Sequence, residues 1–202
     1  MRTALNILVI GGSLRAESIN LRLARLIAYR LQARGAKVDV EGFARFDTPS
    51  FNQEIESLGQ PAGADALAQR LLAADAYVLV SPEYNHSMPG YLKNTIDWLS
   101  RHPGRPLAGH QALLASASPS MTGGERALAA LRIPLETLGT QTQPGQFALA
   151  QAHLAYDEDG NLADPKISGL LDTLVDRFLL TVAAVRGAEI DAAKDSADEA
   201  AA

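Results

Sequence analysis

The sequence predicts an α/β protein, a doubly wound three-layer sandwich built on a parallel sheet, from three observations. Short apolar runs that read as strands buried on both faces alternate with amphipathic stretches of helical period. Glycine closes the first strand and proline the third, and five strand–helix units follow one another without a linker or an internal repeat. The length of 202 residues fits one such domain, assigned to residues 1–186, with an acidic, Ala-rich tail over 187–202.

The elements follow in order. Ala4 to Ile10 is a short apolar run ended by Gly11-Gly12, the form of a central strand. From Ser18 to Arg34, Ile19, Leu23, Leu26, Ile27 and Leu31 recur at helical spacing, and Gly35 stands where a helix would end. Lys37 to Phe43 alternates Val38, Val40 and Gly42 with Asp39 and Glu41, which places it as an outer strand with one wetter face. Asp47 to Pro61 reads as a loop, and Ala64, Leu67, Leu71 and Leu72 form a second helical stripe. Ala76 to Ser81 is the third strand, broken by Pro82, and a helix begins near Pro89 and runs to Ser100. Gln111 to Ala117 is the fourth strand, Glu125 to Leu138 a helix, Phe147 to Ala150 the end of a fifth strand, and Ile167 to Val185 the last helix. The tail from Gly187 has little to bury and is expected to fray.

Composition narrows the chemistry. A net charge of −5 offers no broad basic surface for a nucleic-acid backbone. The absence of cysteine removes disulfides, thiolate metal sites and a cysteine nucleophile, so redox chemistry requires a bound cofactor. No apolar run approaches the ~20 residues of a membrane span or the ~7–15 of a secretory signal, and a cytoplasmic location is expected. His86, His102, His110 and His153 show no metal-ligand spacing, and no G-x-S-x-G elbow marks a hydrolase.

In a sheet of this kind ligands bind beyond the carboxyl ends of the strands, where the strand order reverses. Three loops there are chemically dense. After the first strand, Gly11-Gly12-Ser13-Leu14-Arg15-Ala16-Glu17-Ser18-Ile19-Asn20 places two glycines, the Ser13 and Ser18 hydroxyls, the Asn20 amide and the Arg15 guanidinium before a helix N-terminus, a phosphate cradle in chemical terms. Ordinary capping accounts for Ser18 alone. The loop lacks the Gly-Lys-Ser/Thr of a nucleoside triphosphatase and the G-x-G-x-x-G of a dinucleotide fold, so a mononucleotide phosphate fits best and points to FMN. After the third strand, Ser81-Pro82-Glu83-Tyr84-Asn85-His86-Ser87-Met88-Pro89-Gly90 is a proline-stiffened turn whose amides, with Tyr84 and Asn85, suit the polar edge of a flat heterocycle. After the fourth, Ser116 to Gly124 is small and hydroxyl-rich, which lets a ligand approach the backbone. On the following helix Trp98 reads as packing and Asp97 as surface, while His86 is placed to touch an incoming substrate.

The segments GSLRAESIN (Gly12 to Asn20) and PEYNHSMPGYLKNTIDWLSR (Pro82 to Arg101), with SPSMTGGERALAALR and AYDEDGNLAD downstream, resemble the NADPH-dependent FMN reductases of flavodoxin-like fold, a family that includes quinone, chromate and azo-dye reductases. The resemblance implies a five-stranded parallel sheet in the order 2-1-3-4-5. It implies that Ser13, Arg15, Ser18 and Asn20, with Leu21, hold FMN at its phosphate, that Pro82, Glu83, Tyr84 and Asn85 line the isoalloxazine, and that Ser116 or Ser118 completes the site. Ser120 stands where the family often has glycine, and position 86 varies in kind among relatives. NAD(P)H as donor, a small-molecule acceptor, ping-pong turnover and a homodimer or homotetramer also follow from the resemblance, together with a dimer role for the helix after the Pro82 turn. An electron-carrying flavodoxin is the alternative, against which stand Arg15 and the modest net charge. A response-regulator receiver would need an acidic pair after the first strand, where Gly11-Gly12 stands, and Asp in place of Glu83.

Overall fold

The first strand, β1 (Asn6–Gly11), owes its central place to four consecutive apolar residues whose alternation sends them into two different cores. Ile7 and Val9 face one helical layer, and Leu8 and Ile10 face the other. All four are essentially enclosed. Described here from a computed structural model covering residues 4–201, the sheet places β2 (Lys37–Gly42) and β3 (Ala76–Val80) on either side of β1, with Val9 opposite both Val40 and Val78. Next to β3 lies β4 (Gln111–Ala117). Every pairing is parallel, and the order β2-β1-β3-β4-β5 is the one the resemblance implied.

The fifth position differs in detail from the expectation. It is shared by two short strands, β5 (Gln141–Thr142) and β6 (Phe147–Leu149), each parallel to β4. Pro144, which has no N–H, and Gly145 break the ladder between them. Arg132 satisfies the freed carbonyls, donating to Gln143 O at 2.7 Å and Pro144 O at 3.3 Å.

On one face of the sheet α1 (Ile19–Gln32) packs beside α6 (Pro165–Ala201), and on the other lie α3 (Ala62–Leu72), α4 (Gly90–Ser100) and α5 (Glu125–Thr137). Ion pairs join α1 and the turn that follows it to α6: Arg30 and Arg34 both reach Asp172, at 3.0 and 2.9 Å, and Arg34 reaches Asp176 at 2.5 Å. The loop expected over Asp47 to Pro61 contains one helical turn, α2 (Gln53–Glu56), capped by the Asn52 side chain. The last helix runs past Val185, where its apolar face stops, and takes in the tail to Ala201; the Ala-rich composition sustains the helix there without a core. Ala202 lies outside the described residues. Among the described residues no helix is long and apolar enough to cross a membrane.

Candidate active site

The loops beyond β1, β3 and β4 begin as continuations of the sheet. Gly12 N–H donates to Val80 O at 2.7 Å, Ser81 N–H to Ala115 O at 2.8 Å, and Ser118 N–H to Leu149 O at 3.1 Å. The three sequence-predicted segments therefore meet at one end of the sheet, in register with one another. Glycine is required at the crossing: a Cβ on Gly12 would stand 2.9 Å from Val80 O, and one on Gly11 2.7 Å from the Leu21 side chain. Leu21, nearly buried, is thus a wedge under the first loop.

In that first loop Ser13 N–H donates to Gly11 O, and the Ser13 hydroxyl accepts from Arg15 N–H at 3.2 Å. Ser18 caps α1, accepting from Asn20 N–H at 3.1 Å with extended backbone angles. Among the described residues, the backbone N–H groups of Ala16, Glu17 and Ser18 donate to no protein acceptor, while that of Leu14 points at the Tyr91 hydroxyl. They lie at the positive end of α1, beside the exposed Arg15 side chain. This set of donors suits a phosphate dianion.

Asn20 has a different place from the one expected. Its side chain is 2% exposed and forms a two-way clamp on β4, donating to Ala117 O at 3.0 Å and accepting from Ala117 N–H at 2.9 Å. It joins the first loop to the third instead of presenting its amide to a ligand.

The loop after β3 is a tight hairpin turn. Tyr84 N–H donates to Ser87 O at 2.9 Å and Ser87 N–H to Tyr84 O at 3.0 Å, with Asn85 at φ 50° and His86 at φ 63°. Two successive left-handed residues are the requirement of a type I′ turn, and neither is glycine. Pro82 is buried, and the Tyr84 ring is about half exposed. Among the described residues, Glu83, Asn85 and His86 N–H donate to no protein acceptor, so they remain available to a ring edge. The Glu83 carboxylate is engaged elsewhere, against α5.

In the loop after β4, Ser116 is fully enclosed; its hydroxyl has no hydrogen-bond partner and packs against Gly124. Ser118 lies at the half-buried rim, where its hydroxyl donates to that of Ser120 at 3.0 Å, itself 3.2 Å from the Thr122 hydroxyl. Ser120, one departure from the family pattern, is thus a member of a surface hydroxyl chain.

Two contributors, Tyr91 and Asn94, are not among the residues assigned from sequence. Tyr91, on α4, donates its hydroxyl to Gly12 O at 3.0 Å and meets Tyr84 edge-on at 6.1 Å between ring centres, which ties the first loop to the second. Burial holds its phenol well above the ordinary range, so it stays neutral as a donor. Asn94 and Trp98 secure the loop after β2: Asn94 accepts from Phe51 N–H at 2.7 Å, and both donate to Pro49 O at 2.9 Å. Their i, i+4 spacing on an amphipathic helix was the available signal.

Residues 5–154 match the sequence profile of the NADPH-dependent FMN reductases. The chain belongs to this family. It is 33% identical over 188 residues to an NAD(P)H-dependent FMN reductase of Pseudomonas aeruginosa, a match that covers 93% of this chain and 100% of the relative. It is 34% identical over 180 residues to a quinone reductase of Pseudomonas putida, covering 88% and 95%. Among solved structures, the flavoenzyme NAD(P)H:(acceptor) oxidoreductase FerB of Paracoccus denitrificans superposes with a TM-score of 0.76 at 31% identity, covering 89% of this chain and 97% of that one. Membership makes the chain an oxidoreductase of flavodoxin-like fold with FMN as cofactor and NAD(P)H as electron donor.

Proposed function

We propose that the chain uses bound FMN to carry electrons from NAD(P)H to quinones, free flavin or other small acceptors such as chromate, azo and nitro compounds, in a ping-pong cycle. The observation that carries this reading is the first loop: unpartnered N–H groups of Ala16, Glu17 and Ser18 gathered at the N-terminus of α1 beside Arg15. Ser13 and Ser18 add hydroxyls to that cradle, while Asn20 and Leu21 hold it against the sheet.

When bound, FMN supplies the hydride-accepting and electron-passing chemistry. The protein supplies binding and orientation. Pro82 to Asn85 line the ring, with backbone N–H of Glu83 and Asn85 as donors at its polar edge, where aimed dipoles stabilise negative charge. Ser118 closes the rim, with Ser116 beneath it. No side chain is assigned as an acid or base. One open ring face, used in turn by donor and acceptor, makes the initial-rate lines parallel; intersecting lines would remove the ping-pong cycle.

We assign the chain a cytoplasmic setting and a homodimer or homotetramer. Leu14, Tyr84 and Met121 are exposed on the three loops of the cleft, an apolar rim that a second copy would cover. The deciding experiment is an anaerobic absorbance titration of the FMN-loaded protein with one equivalent of NADPH, then a quinone. Bleaching followed by recovery establishes the reductase. Bound FMN that NADPH does not bleach leaves the electron-carrier alternative, and no uptake of FMN defeats both.

A further inference from the structure

Glu83 belongs by sequence to the ring-lining turn, yet its carboxylate reaches across to the first turn of α5. One oxygen accepts from Arg126 N–H at 2.9 Å and Ala127 N–H at 3.2 Å. The other lies 3.5 Å from His86 Nδ1 and 3.9 Å from an Arg126 guanidinium nitrogen, and the side chain is only 10% exposed. The opening turn of a helix is an anion seat, because its N–H groups lack partners and its dipole is positive. Here the chain fills that seat with its own carboxylate, carried by the loop that borders the cleft.

The turn has reason to need an anchor. Asn85 and His86 both hold left-handed angles, conformations that persist only where surrounding structure enforces them. The paired bonds between Tyr84 and Ser87 close the turn on itself but do not fix where it sits. Beside the Tyr84–Tyr91 ring contact, Glu83 makes a hydrogen-bonded connection from the turn to a different element, α5.

We infer that Glu83 is a positioning residue for the flavin reaction: it sets the seat of the 82–87 turn and holds a negative charge beside the cleft. The inference rests on the flavin reading above. The two effects are separable. Glu83→Gln keeps a side-chain oxygen for the α5 N–H groups and removes the charge, whereas Glu83→Ala removes both. Without the charge, the α5 N-terminus and Arg126 leave a net positive field that favours the reduced, anionic flavin, so the midpoint potential rises. Arg126→Gln, at an exposed side chain where folding is not at stake, shifts it the opposite way.

The test measures the FMN dissociation constant by fluorescence quenching, the flavin midpoint potential against a reference dye, and the thermal midpoint of each apoprotein. Glu83→Gln is expected to bind FMN within about threefold of the unchanged chain with a raised potential. Glu83→Ala is expected to bind about tenfold or more weakly, the scale of one charged hydrogen bond. Loss of thermal stability in both variants, with dissociation constant and potential unmoved, would reduce Glu83 to a helix cap and overturn the inference. A potential that falls in Glu83→Gln, or rises in Arg126→Gln, overturns it as well. An unchanged chain that takes up no FMN defeats the flavin reading itself, a result seen before any variant is made.

Discussion

Asn20 and Ala117 exchange two hydrogen bonds across 97 positions of sequence, the side-chain amide of one facing the main chain of the other as a neighbouring strand would. The pair bolts the first turn of α1 to the last residue of β4 and fixes two loops of the cleft together. Replacing Asn20 with Leu leaves the enclosed N–H and C=O of Ala117 without partners, which costs about 2–4 kcal/mol. The urea midpoint should fall accordingly, with FMN affinity falling alongside it. A variant with unchanged stability would deny the clamp any energetic weight.

Arg15 presents the opposite case, an exposed side chain with no structural duty. Arg15→Ala is expected to weaken FMN binding by about 1.5–3 kcal/mol, the value of a charged hydrogen bond, and to leave the thermal midpoint of the apoprotein in place. Isothermal titration separates the two quantities, and an unaltered dissociation constant removes Arg15 from the site.

Gly124 sits at φ 91°, and a Cβ there would overlap the Ser116 hydroxyl. Gly124→Ala should therefore cost about 1–3 kcal/mol through strain and overpacking. Ser116→Ala should do the reverse in the apoprotein, because it deletes a buried hydroxyl that has no partner. Denaturant melts of both variants read the two signs directly.

Tyr91→Phe removes the bond to Gly12 O and keeps the ring that Tyr84 and Phe43 touch. Stability should drop by about 1 kcal/mol, the net value of such a bond, and the first loop should hold FMN less well. Because the phenol stays neutral, that difference should be flat from pH 6 to pH 9. A difference that titrates within this interval would contradict the buried-phenol geometry.

The Asp176 carboxyl is held below its ordinary range, chiefly by its hydrogen bond to Arg34. A group lowered in the folded state contributes stability that is present above its unfolded value and is lost as pH falls through the folded one. The thermal midpoint of the unchanged chain should thus drop more steeply below the usual carboxylate range than that of Asp176→Asn. The effect is small, since the pair faces solvent. Equal acid limbs would show that the pair adds nothing.

Much of the fold was legible because periodicity carries it. The apolar run in β1 and the helical stripe in α1 state their burial in their spacing, and the structure moves their ends by only a residue or two. The fifth strand was only half legible, since Gln141 and Thr142 pair over two residues and leave no pattern to read. At the site, residue types located the three loops but not the direction of each side chain. Glu83 and Asn20 have the chemistry of ligand contacts and spend it on other parts of the chain, and only tertiary geometry distinguishes those uses. Tyr91 was silent for the same reason, because its partner is a main-chain carbonyl that composition cannot reveal.

The bond from Gly12 N–H to Val80 O makes the cradle two things at once. Its first residue belongs to the sheet, while Ala16 and Glu17, both exposed, have N–H groups with no acceptor among the described residues. In deuterated solvent Gly12 should exchange on the slow clock of the sheet, and those two residues within the fast regime of unprotected amides. The receiving loop thus keeps exposed donors next to a strand that stays locked in the sheet, two exchange regimes a few residues apart.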